Sequence, residues 1–271
     1  MTPAEYSGRP LSRIAETFSN LKSKGERALV LFVTAGDPSL DQLPAILGAL
    51  TEGGADIIEV GLPFSDPIAD GPTIQAASQR ALDRGTTTSA VFEVLAGFQG
   101  PPLVLMGYMN PILRMGADTF ASRAAKGGVE GTIVCDLTPD EASDWIAVSR
   151  ASGLDNIFLS APTSTDERLD LVCQRSSGFV YAVSRTGVTG SAKVDWSDTQ
   201  RLVEKLKTMT SLPVCVGFGV RSAEDVKNVC AFADGAVIGS WLVDFLEKEW
   251  QGGEGRERLV AAVRELKAAT R

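Results

Sequence analysis

The chain has 271 residues, of which 44% are hydrophobic and 22% charged, a composition typical of globular proteins that excludes wholesale disorder. Its formal net charge of −8 argues against a nucleic-acid partner, because nucleic-acid-binding proteins carry a basic face. The chain contains no histidine, which excludes Ser-His-Asp and Cys-His mechanisms and histidine-ligated zinc, and no cysteine cluster replaces the missing ligands, so no metal site is predicted.

The N-terminal segment has no cationic stretch followed by an apolar core, so no signal peptide is visible. The longest apolar run, residues 28–33, is too short to span a bilayer. We therefore expect a cytoplasmic protein without a membrane partner; a plastid location would apply only to a plant source, and no transit peptide is visible. Residues 1–9 form a short extension without an assigned role, and an extra N-terminal helix is predicted from about Pro10 to Lys24.

Short β-rich runs then alternate with longer amphipathic segments. Strands are predicted at residues 29–34, 56–60, 103–106, 131–135, 156–159, 179–183, 214–217 and 235–238. Typical helix starts are Ser39, the run Thr138-Pro139-Asp140-Glu141, and Ser222 with Asp225 three residues later. Eight strand–helix units of this size predict an α/β fold, a single (β/α)8 TIM barrel spanning residues 1–271. A doubly wound open sheet is the alternative, but no GxGxxG motif follows the first strand.

A carboxylate, Glu59, lies at the end of the second predicted strand, on the face opposite two β-branched neighbours. Barrel enzymes carry out their chemistry at this end of the strands. Glu59 is either solvated at the rim or a proton-transfer group, and the long loop that follows, residues 61–72, favours the second interpretation. Asp70 in this loop would allow one carboxylate to move protons while the other stays ionised. Alternatively, Asp66 and Asp70 only form turns in a stiff surface loop.

Glycine-rich turns follow the last three predicted strands, at residues 184–191, 217–222 and 238–241. Glycine lets backbone N–H groups approach an anion, and a helix N-terminus adds its dipole. In any one of these turns, glycine could be present only because the backbone turns tightly. Three such turns in consecutive units, however, predict a phosphate-bearing substrate. None of the nine lysines falls in a predicted strand, which disfavours a Schiff-base aldolase. Of the mechanisms considered, acid/base catalysis by carboxylates on a phosphorylated substrate is the one that remains.

Four motifs resemble the tryptophan synthase α-subunit family. They are residues 58–75 (IEVGLPFSDPIADGPTIQ), 32–38 (FVTAGDP), 108–111 (YMNP) and 184–190 (SRTGVTG). The similarity runs from about residue 10 to the C-terminus. It implies a barrel enzyme that cleaves indole-3-glycerol phosphate to indole and glyceraldehyde 3-phosphate, with no cofactor in this chain.

The resemblance also assigns functional residues to positions in this sequence. The family's acid/base glutamate falls on Glu59, and the aspartate that contacts the indole N–H falls on Asp70. The phosphate-binding residues fall on Gly190, Gly219, Gly239 and Ser240, and the substrate pocket and its loop on Phe32, Met106, Tyr181 and Thr189. Other members often carry leucine at the Met106 position, and this exchange conserves volume.

These residues fit the chemistry that the resemblance implies. The carbon–carbon bond breaks once indole C3 is protonated. Asp70 would stabilise the resulting charge at the ring nitrogen, while Glu59 would deliver the C3 proton and later accept one from the glycerol hydroxyl.

A partner is implied as well: a pyridoxal-phosphate-dependent β subunit that receives indole within an α2β2 complex. We expect the loop of residues 62–67 to present apolar surface to it, because prolines lower the entropy cost of docking. The interface residues by resemblance are Pro63, Asp66, Pro67 and Asn110, with Asp66 coupling the subunits. Two alternatives stay open: a free-standing lyase that releases indole, and a non-catalytic barrel that activates a partner.

Overall fold

The computed structural model describes residues 11–184 and 195–271, in which parallel strands alternate with helices. The strands of these ranges are β1 (Ala28–Thr34), β2 (Ile57–Gly61), β3 (Leu103–Gly107), β4 (Val129–Val134), β5 (Asp155–Asn156), β6 (Leu159–Ser160), β7 (Val180–Val183), β8 (Val214–Gly217) and β9 (Gly235–Ile238). The helices are α1 (Arg13–Ser23), α2 (Leu43–Gly53), α3 (Pro72–Asp83), α4 (Thr88–Leu95), α5 (Met109–Met115), α6 (Ala117–Lys126), α7 (Ser143–Ala151), α8 (Asp166–Arg175), α9 (Ser197–Met209), α10 (Ala223–Cys230), α11 (Ser240–Glu249) and α12 (Arg256–Ala268).

The sheet closes on itself through one chain segment. Its strand order is β5-β4-β3-β2-β1-β9-β8-β7-β6, and only two residues separate β5 from β6. The bonding continues across this junction, because Ile157 N–H donates to the Thr132 carbonyl (2.9 Å) and Tyr181 N–H to the Phe158 carbonyl (3.1 Å). The predicted TIM barrel is thus confirmed.

The fifth predicted strand, residues 156–159, is instead two short segments. The first segment pairs with β4 and the second with β7. Asn156 also exchanges hydrogen bonds with Ser177, whose hydroxyl accepts from the Asn156 N–H at 2.8 Å. The ladder is interrupted here because the segment changes neighbours.

Side chains alternate between the inside of the barrel and the layer under the helices. On β2, Ile57 belongs to the inner cluster, whereas Ile58 and Val60 pack with the helices. Glu59 therefore shares the inner face with Ile57, as its position in the strand predicts. Parallel register places the Glu59 Cα opposite that of Phe32 on β1.

Helix α1 closes the amino-terminal end of the barrel. It begins after Ser12, whose hydroxyl accepts from the Ala15 N–H, and is shorter than the predicted helix from Pro10 to Lys24. Ile14 and Phe18 are buried against the inner cluster, with the Phe18 ring centroid 5.8 Å from that of Phe179. The carboxyl ends of the strands are left for ligands.

The predicted helix starts have different outcomes. Ser222 caps α10 as predicted, since its hydroxyl accepts from the Asp225 N–H. Ser39 is the N-cap of a short 3-10 turn (Leu40–Gln42) that leads directly into α2, but the Ser39 hydroxyl makes no capping bond.

The run Thr138 to Glu141 precedes a helix, as predicted, but does not begin it. The Thr138 hydroxyl bonds to the Glu141 carboxylate, and the backbone between them folds into a turn, so α7 begins only at Ser143.

Within the described ranges, no helix combines the length and apolarity that a membrane span requires.

Candidate active site

A small cavity lies at the carboxyl ends of β1, β2 and β3. Its lining is Phe32, Thr34, Gly61, Leu62, Asp70, Ile74, Ser78, Met106, Gly107 and Tyr108. Three predicted site residues, Phe32, Asp70 and Met106, thus meet in one place. Gly61 makes room for the Phe32 ring, since a Cβ at residue 61 would lie 2.4 Å from a ring carbon. Any larger residue at position 61 would displace Phe32 from the cavity wall.

Glu59 lies inside the barrel, two residues before Gly61, and does not itself line this cavity. Its side chain is 1% exposed, and its Oε1 has no hydrogen-bond partner among the described residues. Burial raises the pKa of Glu59 to about 8, because the charged form loses its hydration. The carboxyl is therefore mostly protonated at neutral pH. The alternative of a glutamate solvated at the rim is wrong.

Asp70 is held on the cavity wall by Tyr108. The Tyr108 hydroxyl donates to Asp70 Oδ2 (3.0 Å) and accepts from the Ala69 N–H (3.0 Å). The second carboxylate oxygen, Oδ1, is buried without a partner in the part of the chain that the structure describes. Burial raises the pKa of Asp70, and the bond from Tyr108 opposes that rise. An unpaired carboxylate oxygen at this depth is free to accept a hydrogen bond from a ligand.

Tyr108 is a site residue whose role the sequence did not reveal, although its motif was identified. It is 3% exposed, and the Phe64 ring stacks on it at a centroid distance of 5.0 Å. Burial and the neighbouring Asp70 charge raise the pKa of Tyr108, so the phenol keeps its proton. The available signal is its position as the first residue after β3.

Tyr181 lies on the opposite side of the barrel interior, on β7. It is 4% exposed, and burial followed by the charge of Glu59 raises its pKa well above the usual range. Gly217 on β8 accommodates its hydroxyl, since a Cβ there would lie 2.1 Å from the Tyr181 oxygen. The predicted pocket residue is thus buried in the neighbourhood of Glu59.

Phe218 is a second residue that the sequence did not identify. Its φ of 67° is left-handed, a conformation that costs a phenylalanine free energy and occurs often at functional sites. Its ring meets Tyr181 edge-on at 6.1 Å, and its carbonyl accepts from the Ser184 hydroxyl. Only the flanking glycines in the sequence indicate an unusual backbone here.

Two of the predicted glycine turns lie side by side, because β8 and β9 are paired neighbours. Gly219 has a φ of 87°, and Gly239 is the N-cap of α11. Helix α11 has no acidic residue in its first turn, and helix geometry leaves the first N–H groups, beginning at Ser240, without partners inside the helix. Gly190 and Thr189, predicted for the same region, lie outside the described residues.

The neighbouring helix α10 begins with a side-chain cap and an acidic first turn. Ser222 accepts from the Asp225 N–H, and the Asp225 carboxylate accepts from the Arg221 N–H (2.9 Å). Its first turn also carries Glu224. An anion is therefore better accommodated at α11 than at α10.

The loop expected to face a partner is only partly at the surface. Leu62 and Pro63 are buried, so the prediction that they present apolar surface is wrong: Leu62 packs into the outer core cluster. Asp66 is exposed, and Pro67 is half-buried. The neighbouring Ile68, 83% exposed, is the apolar side chain that the loop offers to solvent.

Asn110, the fourth predicted interface residue, is exposed in the first turn of α5. This turn follows Tyr108 directly, so it lies beside the loop that Tyr108 holds. Leu113 in the same helix is 63% exposed.

The polar groups at this end of the barrel include carboxyls, phenols, the hydroxyls of Thr34 and Ser78, the Met106 thioether and backbone amides. Within the described residues, no group of three or more acidic or cysteine side chains is arranged to hold a metal ion. The polar groups that are present can transfer protons, stabilise a cation and bind an anion.

Comparisons with known proteins agree with this architecture. A family model described as tryptophan synthase alpha chain matches residues 18–271. A tryptophan synthase alpha chain of Burkholderia mallei (strain NCTC 10229) is 48% identical over 263 residues, which cover 96% of this chain and 97% of the relative. That of Laribacter hongkongensis is 46% identical over 263 residues, covering 96% and 99%.

Solved structures lead to the same family. A structure of Mycobacterium tuberculosis tryptophan synthase has a TM-score of 0.88 at 40% identity, covering 97% of this chain and 99% of the other. Tryptophan synthase subunit alpha from Legionella pneumophila has a TM-score of 0.88 at 32% identity, covering 96% and 99%. The chain belongs to the tryptophan synthase alpha chain family.

Proposed function

We propose that this protein is a carbon–carbon lyase that cleaves indole-3-glycerol phosphate to indole and glyceraldehyde 3-phosphate. The observation that carries the proposal is the Glu59 carboxyl, which is buried inside the barrel, has a pKa raised to about 8, and has one oxygen without a partner among the described residues. A general acid with a pKa near the working pH is well suited to proton transfer. Asp70, on the cavity wall, supplies the second carboxyl.

The two carboxyls divide the reaction between them. Neutral Glu59 donates its proton to indole C3, which turns the ring into a cation. Asp70 accepts a hydrogen bond from the ring N–H through its unpaired oxygen and stabilises that charge. The Glu59 carboxylate then takes the proton of the adjacent glycerol hydroxyl. As the aldehyde C=O forms, the carbon–carbon bond breaks and its electrons return to the ring, giving indole and glyceraldehyde 3-phosphate.

Phe32, Met106 and Tyr181 would surround the indole ring in this assignment. Phe32 and Met106 belong to the cavity wall, and Tyr181 is buried in the same inner cluster. The substrate phosphate would take the N–H groups of Gly239 and Ser240 at the start of α11. By the family resemblance, Gly219 and Gly190 would also contribute to phosphate binding. Thr189 would help to close the site over the substrate.

Gly239→Asp tests the phosphate assignment. A Cβ at residue 239 would lie 3.6 Å from Ile74, an ordinary contact, so a side chain is tolerated there. Because the aspartate adds a negative charge beside the phosphate, we expect at least a tenfold rise in the Kd of glycerol 3-phosphate, measured by calorimetry. Gly239→Asn is the matched control of equal size and should bind more tightly than Gly239→Asp. Equal affinity for the two variants would move the phosphate elsewhere.

The partner would be a tryptophan synthase β subunit that carries pyridoxal phosphate and takes up indole, in an α2β2 complex in the cytoplasm. Exposed Asp66 and Asn110 and half-buried Pro67 are available to such a partner. Pro63 is buried and would contribute by restricting the backbone of the loop, without contacting the partner. The loop that carries Asp66 also carries Asp70, which is bonded to Tyr108. Contact at one end of this loop is therefore connected to the carboxyl at the other.

Asp66→Ala tests this coupling. Among the described residues, the Asp66 side chain has one hydrogen-bond partner, the Ser65 hydroxyl, so replacing it leaves the cavity wall intact. We expect the slow activity of the isolated chain to change less than twofold, while most of the acceleration by a β subunit disappears, within the 5- to 150-fold range common for such coupling. Steady-state rates of indole release with and without the β subunit measure both. Unchanged acceleration would remove Asp66 from the coupling.

One assay decides between the proposed function and its alternatives: indole release from indole-3-glycerol phosphate, with and without a β subunit. Cleavage that accelerates with the partner supports the α-subunit role. Equal rates in both conditions would make the protein a free-standing lyase. No cleavage in either condition, with the partner still activated, would indicate a non-catalytic barrel.

A further inference from the structure

Arg80 of α3 makes a two-bond ion pair with a buried carboxylate near the site. Its Nε and one terminal nitrogen donate to the two carboxylate oxygens of Asp37 at 2.9 and 2.7 Å. The Asp37 side chain is 5% exposed, and Asp37 follows β1 in a turn closed by the bond from its N–H to the Thr34 carbonyl. The second terminal nitrogen of Arg80 lies 3.2 Å from Glu247 Oε1 of α11. One guanidinium therefore joins three segments of the chain.

Each of these segments carries a part of the proposed site. The turn after β1 follows Thr34, which lines the cavity. Helix α3 begins directly after Asp70 and Gly71, and its Ile74 lines the cavity too. Helix α11 begins at the turn proposed to bind phosphate. The structure thus connects the ring-binding and phosphate-binding parts through Arg80.

The same helices meet again at the site itself. A Cβ at Gly239 would lie 3.6 Å from Ile74 Cδ1 and 3.7 Å from the Phe32 Cβ. The separation between the phosphate turn and the cavity wall is therefore set by how α3 and α11 sit against each other. Because Arg80 contacts Glu247 on α11 while its other nitrogens are bonded to Asp37, it helps to hold that arrangement.

Neutralising the Asp37 charge does not require Arg80. Arg84, one turn further along, also reaches Asp37, at 3.4 Å, and is more exposed. Among these two arginines only Arg80 contacts Glu247. A planar guanidinium can bind one carboxylate with two bonds and still present a third nitrogen to another, which a lysine ammonium at the same place cannot do.

We propose that Arg80 is a positioning residue that sets the distance between the ring-binding cavity and the phosphate turn. This inference rests on the proposed function, because it assumes a substrate that spans both parts. A ligand that occupies only one part does not depend on that distance. A ligand that occupies both parts does, because its two ends are joined by a chain of fixed length.

The test compares Arg80→Lys with Arg84→Lys as the matched control. Three ligands are titrated by calorimetry: indole, glycerol 3-phosphate, and a non-cleavable analogue in which a saturated three-carbon chain joins indole to phosphate. We expect Arg80→Lys to weaken the joined analogue, and to raise the KM of the substrate, about 10- to 100-fold. The two separate fragments should change less than twofold, and Arg84→Lys should change all three affinities less than twofold.

Two results would overturn the inference: an unchanged affinity of Arg80→Lys for the joined analogue, or an equal loss for the analogue and for either fragment. The second result would mean general damage to the fold. If the wild-type protein neither binds the analogue nor cleaves the substrate, the proposed function fails first, and the inference with it.

Glu247→Ala is a second variant, which removes only the exposed contact between Arg80 and α11. It should weaken the analogue two- to fivefold without affecting the fragments, and unchanged binding would contradict the role of that arm.

Discussion

Glu59→Gln should reduce the turnover of indole-3-glycerol phosphate by at least about 10³-fold. Glutamine preserves the size of the side chain but cannot donate an acidic proton to C3 or accept one from the hydroxyl. A single general acid/base role contributes about 10²–10⁴-fold, and Glu59 is proposed to act at both ends of the reaction. Single-turnover measurements of indole release, with circular dichroism to confirm folding, give the comparison. A folded variant that retains more than a tenth of the wild-type turnover would contradict the assignment.

The raised pKa of Glu59 gives this prediction a pH dependence. Since the protonated carboxyl is the donor, kcat/KM of the wild-type protein should fall as pH rises through about 8. A rate that instead rises through this range would mean that the carboxylate acts first.

Stability should follow the same group. The folded-state pKa exceeds the unfolded one, so the contribution of this group is fully present below the unfolded value of 4.5 and is lost progressively as pH rises from there to about 8. The melting temperature of Glu59→Gln relative to the wild type should therefore increase from pH 5 to pH 9. A constant difference over this range would argue against the raised pKa.

Asp70→Asn should have the second largest effect, a loss of about 10²–10³-fold in kcat, because a fixed charge that stabilises the transition state is removed. Asparagine keeps the size of the side chain and an oxygen that can accept from the Tyr108 hydroxyl. The matched control is Tyr108→Phe, which keeps Asp70 but removes one hydrogen bond to it. We expect a loss of about 10-fold for this control, since a hydrogen bond to a charged group contributes about 1.5–3 kcal/mol when fully formed.

Steady-state kcat for both variants, with the Kd of glycerol 3-phosphate as a check on the distant phosphate turn, tests this ranking. A larger loss for Tyr108→Phe than for Asp70→Asn would mean that the phenol, and not the carboxylate, contacts the ring.

The sequence predicted the barrel because parallel strands buried on both faces produce short β-rich runs at regular spacing. The sequence also predicted that Glu59 lies on the same face of its strand as Ile57, because the alternation of side chains along a strand depends only on local geometry. It could not predict the burial of Leu62 and Pro63, which depends on the outer core that packs over that loop. The bond from Tyr108 to Asp70 joins residues 38 positions apart, and no local pattern encodes it.

The role of Arg80 and the division of the fifth strand could not be predicted for the same reason, because both depend on contacts between distant parts of the chain. A helical arginine is usually solvated, and only the fold brings it to Asp37, 43 positions away. The separation of β5 from β6 arises because one segment must reach two neighbours when the sheet closes.

Glu59 Oε1 lacks a hydrogen-bond partner among residues 11–184 and 195–271, and this has a consequence for how substitutions elsewhere in the barrel act. Burial is what raises the pKa of this carboxyl, so its pKa depends on how well the interior of the barrel excludes water. Inner-layer side chains such as Val104 and Cys215 therefore help to keep water away from the Glu59 carboxyl. A small defect there, which admits one water molecule, would make the group more acidic and shift the working pH range downward without touching a reacting atom. Homologues that differ only in these inward-facing side chains would then differ in their optimum pH while sharing every catalytic residue.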